Sequence, residues 1–197
     1  RQHRRRANQD VRGGDFLMAL TLISTHTADG STANIDITSG IDDTYDSYEF
    51  HFVNIHPSLA GGSGQLLFQV NASGASGFNE TITSTAFRAY KMENDDGGAV
   101  DYRTGEDQAQ GTAYEIIMEG IQNDNDTSGS GILTLYAPSS TTYVKHFISV
   151  ANTTLNAGTK QDFHAGYINT TSAITQISFK TSSGTMDAGT IKMFGVS

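Results

Sequence analysis

In Asp46-Ser-Tyr-Glu-Phe-His-Phe-Val-Asn-Ile55, Tyr48, Phe50 and Phe52 fall on one side of an extended chain, and Glu49, His51 and Val53 on the other. A period of two marks a strand with one buried face, because successive side chains of extended backbone point to opposite sides. The same texture repeats on either side of this stretch. Thr21–Ile23 and Asn34–Ile37 are short strands before it. After it, Gln65–Val70 is an apolar run bounded by Gly61-Gly-Ser-Gly64 and Asn71-Ala-Ser-Gly74, and Thr81–Met92 is rich in β-branched and aromatic residues. Thr112–Ile121 places Tyr114, Ile116 and Met118 on one face. Gly131–Ala137 and Thr142–Ala151 flank a Pro138-Ser-Ser140 turn, and Val144, His146, Ile148 and Val150 share a face of the second. Gln161–Ile168, Ala173–Lys180 and Gly189–Val196 complete the set.

About ten strands at roughly ten-residue spacing predict an all-β protein, an antiparallel β-sandwich of jelly-roll-like form. No stretch sustains a helical period. The best helical candidate, Asp107–Tyr114, is weakened by Gly111 and Thr112. Residues 1–17 read as a basic N-terminal arm or extension and 18–197 as one sandwich domain, with Met18-Ala-Leu20 resembling a natural start.

Charge is unevenly placed along the 197 residues. The arm holds Arg1, Arg4, Arg5, Arg6 and Arg12 against two Asp; the remainder holds seven Lys and Arg against 19 Asp and Glu, a net of −12. An acidic body argues against nucleic acid as a partner. The arm is expected to be dispensable for folding and to dock on an acidic surface. The apolar runs are too short to cross a membrane as helices. With no cysteine, neither a disulfide framework nor a thiolate metal site is available.

The motifs of catalysis are absent: no nucleophile elbow, phosphate-binding loop or dinucleotide fingerprint occurs. The six histidines lack the spacing of helical zinc sites and are read as packed or surface residues, so no metal ligand and no cofactor is assigned. Asp124-x-Asp126-x-Ser128-Gly129 resembles half of a calcium loop but has Leu135 where the closing Glu belongs. Glu115 and Glu119 lie about 13 Å apart along a strand, too far for a retaining glycosidase pair. Five Asn-x-Ser/Thr sequons, starting at Asn71, Asn79, Asn125, Asn152 and Asn169, match the Ser- and Thr-rich composition. The polar stretch Glu93–Gln110 is long for a hairpin and reads as an exposed loop. With Tyr45, it supplies the candidate ligand or partner residues Asn94, Asp95, Asp96, Tyr102 and Arg103.

Tyr48-Glu-Phe-His-Phe-Val-Asn-Ile-His-Pro57, Gly77–Arg88, Leu133–Phe147 and Gly184–Val196 resemble virion structural proteins of marine tailed phages. The resemblance runs from about Met18 to the C-terminus and is most specific in Gly189-Thr-Ile-Lys-Met-Phe-Gly195. It implies a component of a virion, without catalytic residues, held by other virion proteins. Homo-oligomerisation, as a trimer, follows by analogy with jelly rolls that assemble around symmetry axes. The alternative is a tail fibre or spike module that binds a host surface glycan.

Overall fold

The structure, a computed structural model, describes residues 20–58, 64–155 and 157–197. The five arm arginines and Met18 lie outside the described residues. Thirteen strands are described: β1 (Leu20–Thr27), β2 (Asn34–Ile37), β3 (Ser47–Pro57), β4 (Gly64–Ala72), β5 (Ile82–Met92), β6 (Gly98–Tyr102), β7 (Ala109–Gly111), β8 (Glu115–Ile121), β9 (Gly129–Tyr136), β10 (Lys145–Leu155), β11 (Gly158–Ile168), β12 (Ile174–Thr181) and β13 (Met186–Val196). The described residues contain no helix; the candidate over Asp107–Tyr114 is instead a turn carrying the three-residue β7.

The strands form two antiparallel sheets. The larger runs β1-β13-β3-β9-β10-β11-β5-β6, with β7 also paired to β5; the smaller runs β2-β12-β4-β8. Eight of the strands, β1, β2, β3, β4, β8, β9, β12 and β13, are shared four and four between the sheets. Numbered one to eight in chain order, they lie as 1-8-3-6 in the larger sheet and 2-7-4-5 in the smaller. That interleaving of two Greek keys is a jelly roll. The other five are excursions: β5–β7 leave between the fourth and fifth strands and β10–β11 between the sixth and seventh. Together they continue the larger sheet beyond the width of the smaller one.

The core lies between the sheets and is built by the predicted alternation. Tyr48, Phe50 and Phe52 of β3 point inward and are buried, while their neighbours Glu49 and His51 are half-exposed. Phe179 of β12 faces them, its ring 5.4 Å from Phe50 and 5.3 Å from Phe52. Phe68 of β4 meets Phe147 of β10 edge-on at 5.0 Å. Each such ring contributes about 1.5–3 kcal/mol by burial, and edge-on contacts add to that. The closing strand β13 runs between β1 and β3. Its Ile191 and Met193 are in the core; Phe194 on the other face is half-buried beside His51. β8 departs from simple alternation: two register shifts against β4 bury Ile117 and Met118 together and leave Ile116 and Tyr114 half-buried outside.

Candidate interaction face and buried polar cluster

Beyond the smaller sheet, the two faces of β10 exchange their expected character. Inward it presents Lys145, Phe147, Ser149, Ala151 and Thr153; outward it presents His146, Ile148, Val150 and Asn152. The face that the sequence marks as apolar is therefore the outer one. Neighbouring strands extend it through Ile132 on β9, Phe163 and Ala165 on β11, Phe87 on β5, and Val100 and Tyr102 on β6. Phe87 and Phe163 are register partners, and their rings stack at 4.6 Å and 6°. Ile148 is 47% exposed, Phe87 44% and Val100 73%. The outward positions of β5, β9, β10 and β11 carry no Asp or Glu. A contiguous, acid-free apolar strip on an otherwise acidic body is the signature of a contact surface rather than of scattered surface hydrophobes.

The inner face of the same strands becomes polar towards β11 and β5, where it packs against β8, the edge strand of the smaller sheet, and the segment Arg103–Tyr114. Backbone bonds from Arg103 N to Ala86 O (2.9 Å) and from Ser84 N to Gln108 O (2.9 Å) lay that segment along β5. Beneath it, Arg103 Nε donates to Glu106 Oε1 at 2.6 Å, and Lys160 Nζ donates to Glu119 Oε2 at 2.9 Å. The backbone N–H of Glu119 donates to Asp162 Oδ2 at 3.0 Å, and Lys160 Nζ stands 3.2 Å from Asp162 Oδ1. Glu106, Asp162, Lys160 and His164 are all buried.

Burial governs how these groups ionise. It pushes Glu106 up to about 7, helped by the neighbouring Glu119 and opposed by Arg103. Glu119 is largely, not fully, buried, with its side chain 18% exposed. The neighbouring Glu106 carboxyl and Lys160, with the Lys160 and Arg103 charges, outweigh that burial and hold it below the usual carboxylate range. Burial raises Asp162 against the pull of Lys160. It lowers His164 to about 4, with Lys160 adding to the effect, so the ring is neutral. Among the described residues, neither ring nitrogen of His164 has a hydrogen-bond partner, nor does Glu106 Oε2.

The residues singled out in Glu93–Gln110 do not form one loop. Asn94, Asp95 and Asp96 make the tight turn of the β5–β6 hairpin, where Asp95 takes φ of 61° and pairs with Lys91. Tyr102 is half-exposed on edge strand β6 and donates its hydroxyl to Asp107. Arg103 is tied into the buried cluster through Glu106 and Glu119. Tyr45 packs on the core, edge-on to Tyr48 at 5.8 Å, and its ring occupies the space a Cβ on Gly195 would need. β3 and β6 are five strand positions apart in the sheet, roughly 24 Å, so Tyr45 and Tyr102 share no site.

A cleft of about 460 Å³ opens elsewhere, lined by Asn54, His56, Asn125, Asp126 and Asp187 among others. His56 Nδ1 donates to Asp187 Oδ1 at 2.6 Å, and Nε2 faces the Asp124 carbonyl at 3.1 Å. Burial opposes the imidazolium there, but the two acceptors prevail and the His56 pKa is raised. The half calcium loop at Asp124–Gly129 borders this cleft, with the Asp124 carbonyl engaged by His56.

The sequence-based search missed the buried cluster. Its one local signal is Asp162-Phe-His164, two donors on the same face of a strand; the third, Glu106, comes from a segment 56 residues earlier that only the fold brings near. Compared with protein-family models, curated proteins and solved structures, the chain matched none.

Proposed function

We propose that this protein is a structural component of a phage particle, a capsid decoration or a tail or fibre part, that works through protein–protein contacts and performs no catalysis. The observation that carries the reading is the outer face of the larger sheet, where Ile132, Ile148, Val150 and Phe87 stand exposed around the half-buried Phe163, at outward positions free of acidic groups. The sandwich buries its core without them, so their exposure is uncompensated in an isolated chain. A body of net charge −12 repels its own copies, and an acid-free apolar strip is where that repulsion is weakest and burial gains most. We therefore assign the face first to self-association. Jelly rolls recur in capsid proteins, and the resemblance to phage virion proteins points the same way. Mass spectrometry of purified particles tests the role: the chain is expected in multiple copies per particle, and its absence from them contradicts the proposal.

The alternative, a module that binds a host surface glycan, draws on the His56–Asp187 cleft, which offers amide and carboxylate groups suited to sugar hydroxyls. Binding on a glycan array that is lost in Asp187→Ala selects this reading.

A further inference from the structure

The buried cluster contains three donors whose disposition exceeds what a purely structural ion-pair network needs. Glu106 on the covering segment, and Asp162 and His164 on β11, each bring a ligand atom to within 4.8 Å of the other two. All three side chains are at least nine-tenths buried, His164 with 2% exposure. Leaving both nitrogens of a buried imidazole without partners forfeits their hydration with nothing in return. That cost points to an occupant, since His164 has a lone pair available in its neutral form, and Glu106 Oε2 is likewise free of donors.

We propose that Glu106, Asp162 and His164 bind a divalent first-row transition ion, of which Zn²⁺ is the reference, and that the ion clips the Arg103–Gln108 segment onto the extended half of the larger sheet. The donor chemistry selects the metal class: one imidazole with two carboxylates suits zinc or manganese, whereas calcium and magnesium prefer all-oxygen shells. Asp162 and His164 stand at positions i and i+2 of one strand, so their side chains leave the same face and converge without backbone change. Closing from the present spacing to bonds of about 2.0–2.2 Å needs side-chain movements of roughly an ångström or less. Charge permits it: Glu106, Glu119 and Asp162 outnumber Arg103 and Lys160 by three to two. Lys160, 3.2 Å from Asp162 Oδ1, gives way there and keeps its bond to Glu119. In a chain with no cysteine, such a clip adds a cross-link between the covering segment and β11 beyond the backbone bonds that hold the segment to β5.

The test is isothermal titration of the chelator-treated full chain with ZnCl₂, with CoCl₂ as a spectroscopic probe. One ion per chain is expected, with a rise in melting temperature by mass action and a cobalt spectrum of nitrogen and oxygen ligation without sulfur. Glu106→Gln and His164→Gln should each weaken affinity by about tenfold or more. His56→Gln, in the surface cleft, should leave affinity unchanged. Absence of saturable binding at 100-micromolar zinc (about 0.1 mM, weak for a built site) overturns the proposal. Binding that survives Glu106→Gln, a change on the covering segment outside the sheet, overturns it equally, as does binding abolished by His56→Gln. If His164→Gln fails to fold, Glu106→Gln decides alone.

Discussion

Glu115 at the head of β8 is a carboxyl with no exposed atoms, to which Gln108 Nε2 donates at 2.8 Å. Burial pushes it up to about 7, against the hydrogen bonds from Ser84 and Gln108 and with help from the Asp107 charge. Its folded value exceeds its unfolded one, so the folded state holds the proton more tightly. The resulting stability is complete below the unfolded value of about 4.5 and is lost as pH rises towards 7. The wild type should therefore lose about 3 kcal/mol relative to Glu115→Gln between those limits, at about 1.4 kcal/mol per pH unit. Urea melts at a series of pH values measure this; stability profiles that stay parallel contradict it. Gly131 is a second residue-scale constraint. A Cβ there would come 2.6 Å from Val150 O and 2.7 Å from Ala151 Cα on the adjoining strand. Gly131→Ala should cost about 1–3 kcal/mol by the same melts, because backbone rather than a flexible side chain must move.

At the scale of the element, alternation was legible wherever a strand has the smaller sheet on one side and solvent on the other, as in β3. Phe179→Ala, which removes the ring between Phe50 and Phe52, should cost about 3–5 kcal/mol in chemical denaturation. Legibility failed at bulges and in the part of the larger sheet that extends past the smaller one. On β8, two bulges against β4 broke the expected Tyr114–Ile116–Met118 face, and bulges leave no signature in composition. On β10 the apolar face was found but its direction was not: periodicity locates a face without saying what covers it. The hairpin turn at Asn94–Asp96 was hidden inside a polar run because β6, with Gly98, Ala99 and Asp101 among its five residues, lacks a strand's usual composition. The buried cluster was invisible for a related reason, since Glu106 and β11 are neighbours only through the pairing of β5 with β11.

The described residues form a jelly roll carrying an extra platform, and the platform is where the acidic body presents an acid-free apolar surface. The basic arm, by its sequence, complements the acidic remainder of a neighbouring copy or partner. Deleting residues 1–17 should leave the melting temperature nearly unchanged and weaken assembly, more at low salt, because exposed ion pairs contribute about 0–1 kcal/mol each and are screened. A deletion variant that fails to fold contradicts this and makes the arm part of the domain.

Sedimentation velocity of the wild type and of Ile148→Lys, over a concentration series into the tens-of-micromolar range, tests the central claim most directly. Ile148 lies in the middle of the outer strip at 47% exposure, so the substitution should change stability by no more than about 0.5 kcal/mol. The wild type is predicted to sediment as an oligomer, a trimer by the symmetry analogy, and the variant as a folded monomer. A wild type that remains monomeric throughout, or a variant that associates as strongly as the wild type, would contradict the assignment of this face to assembly.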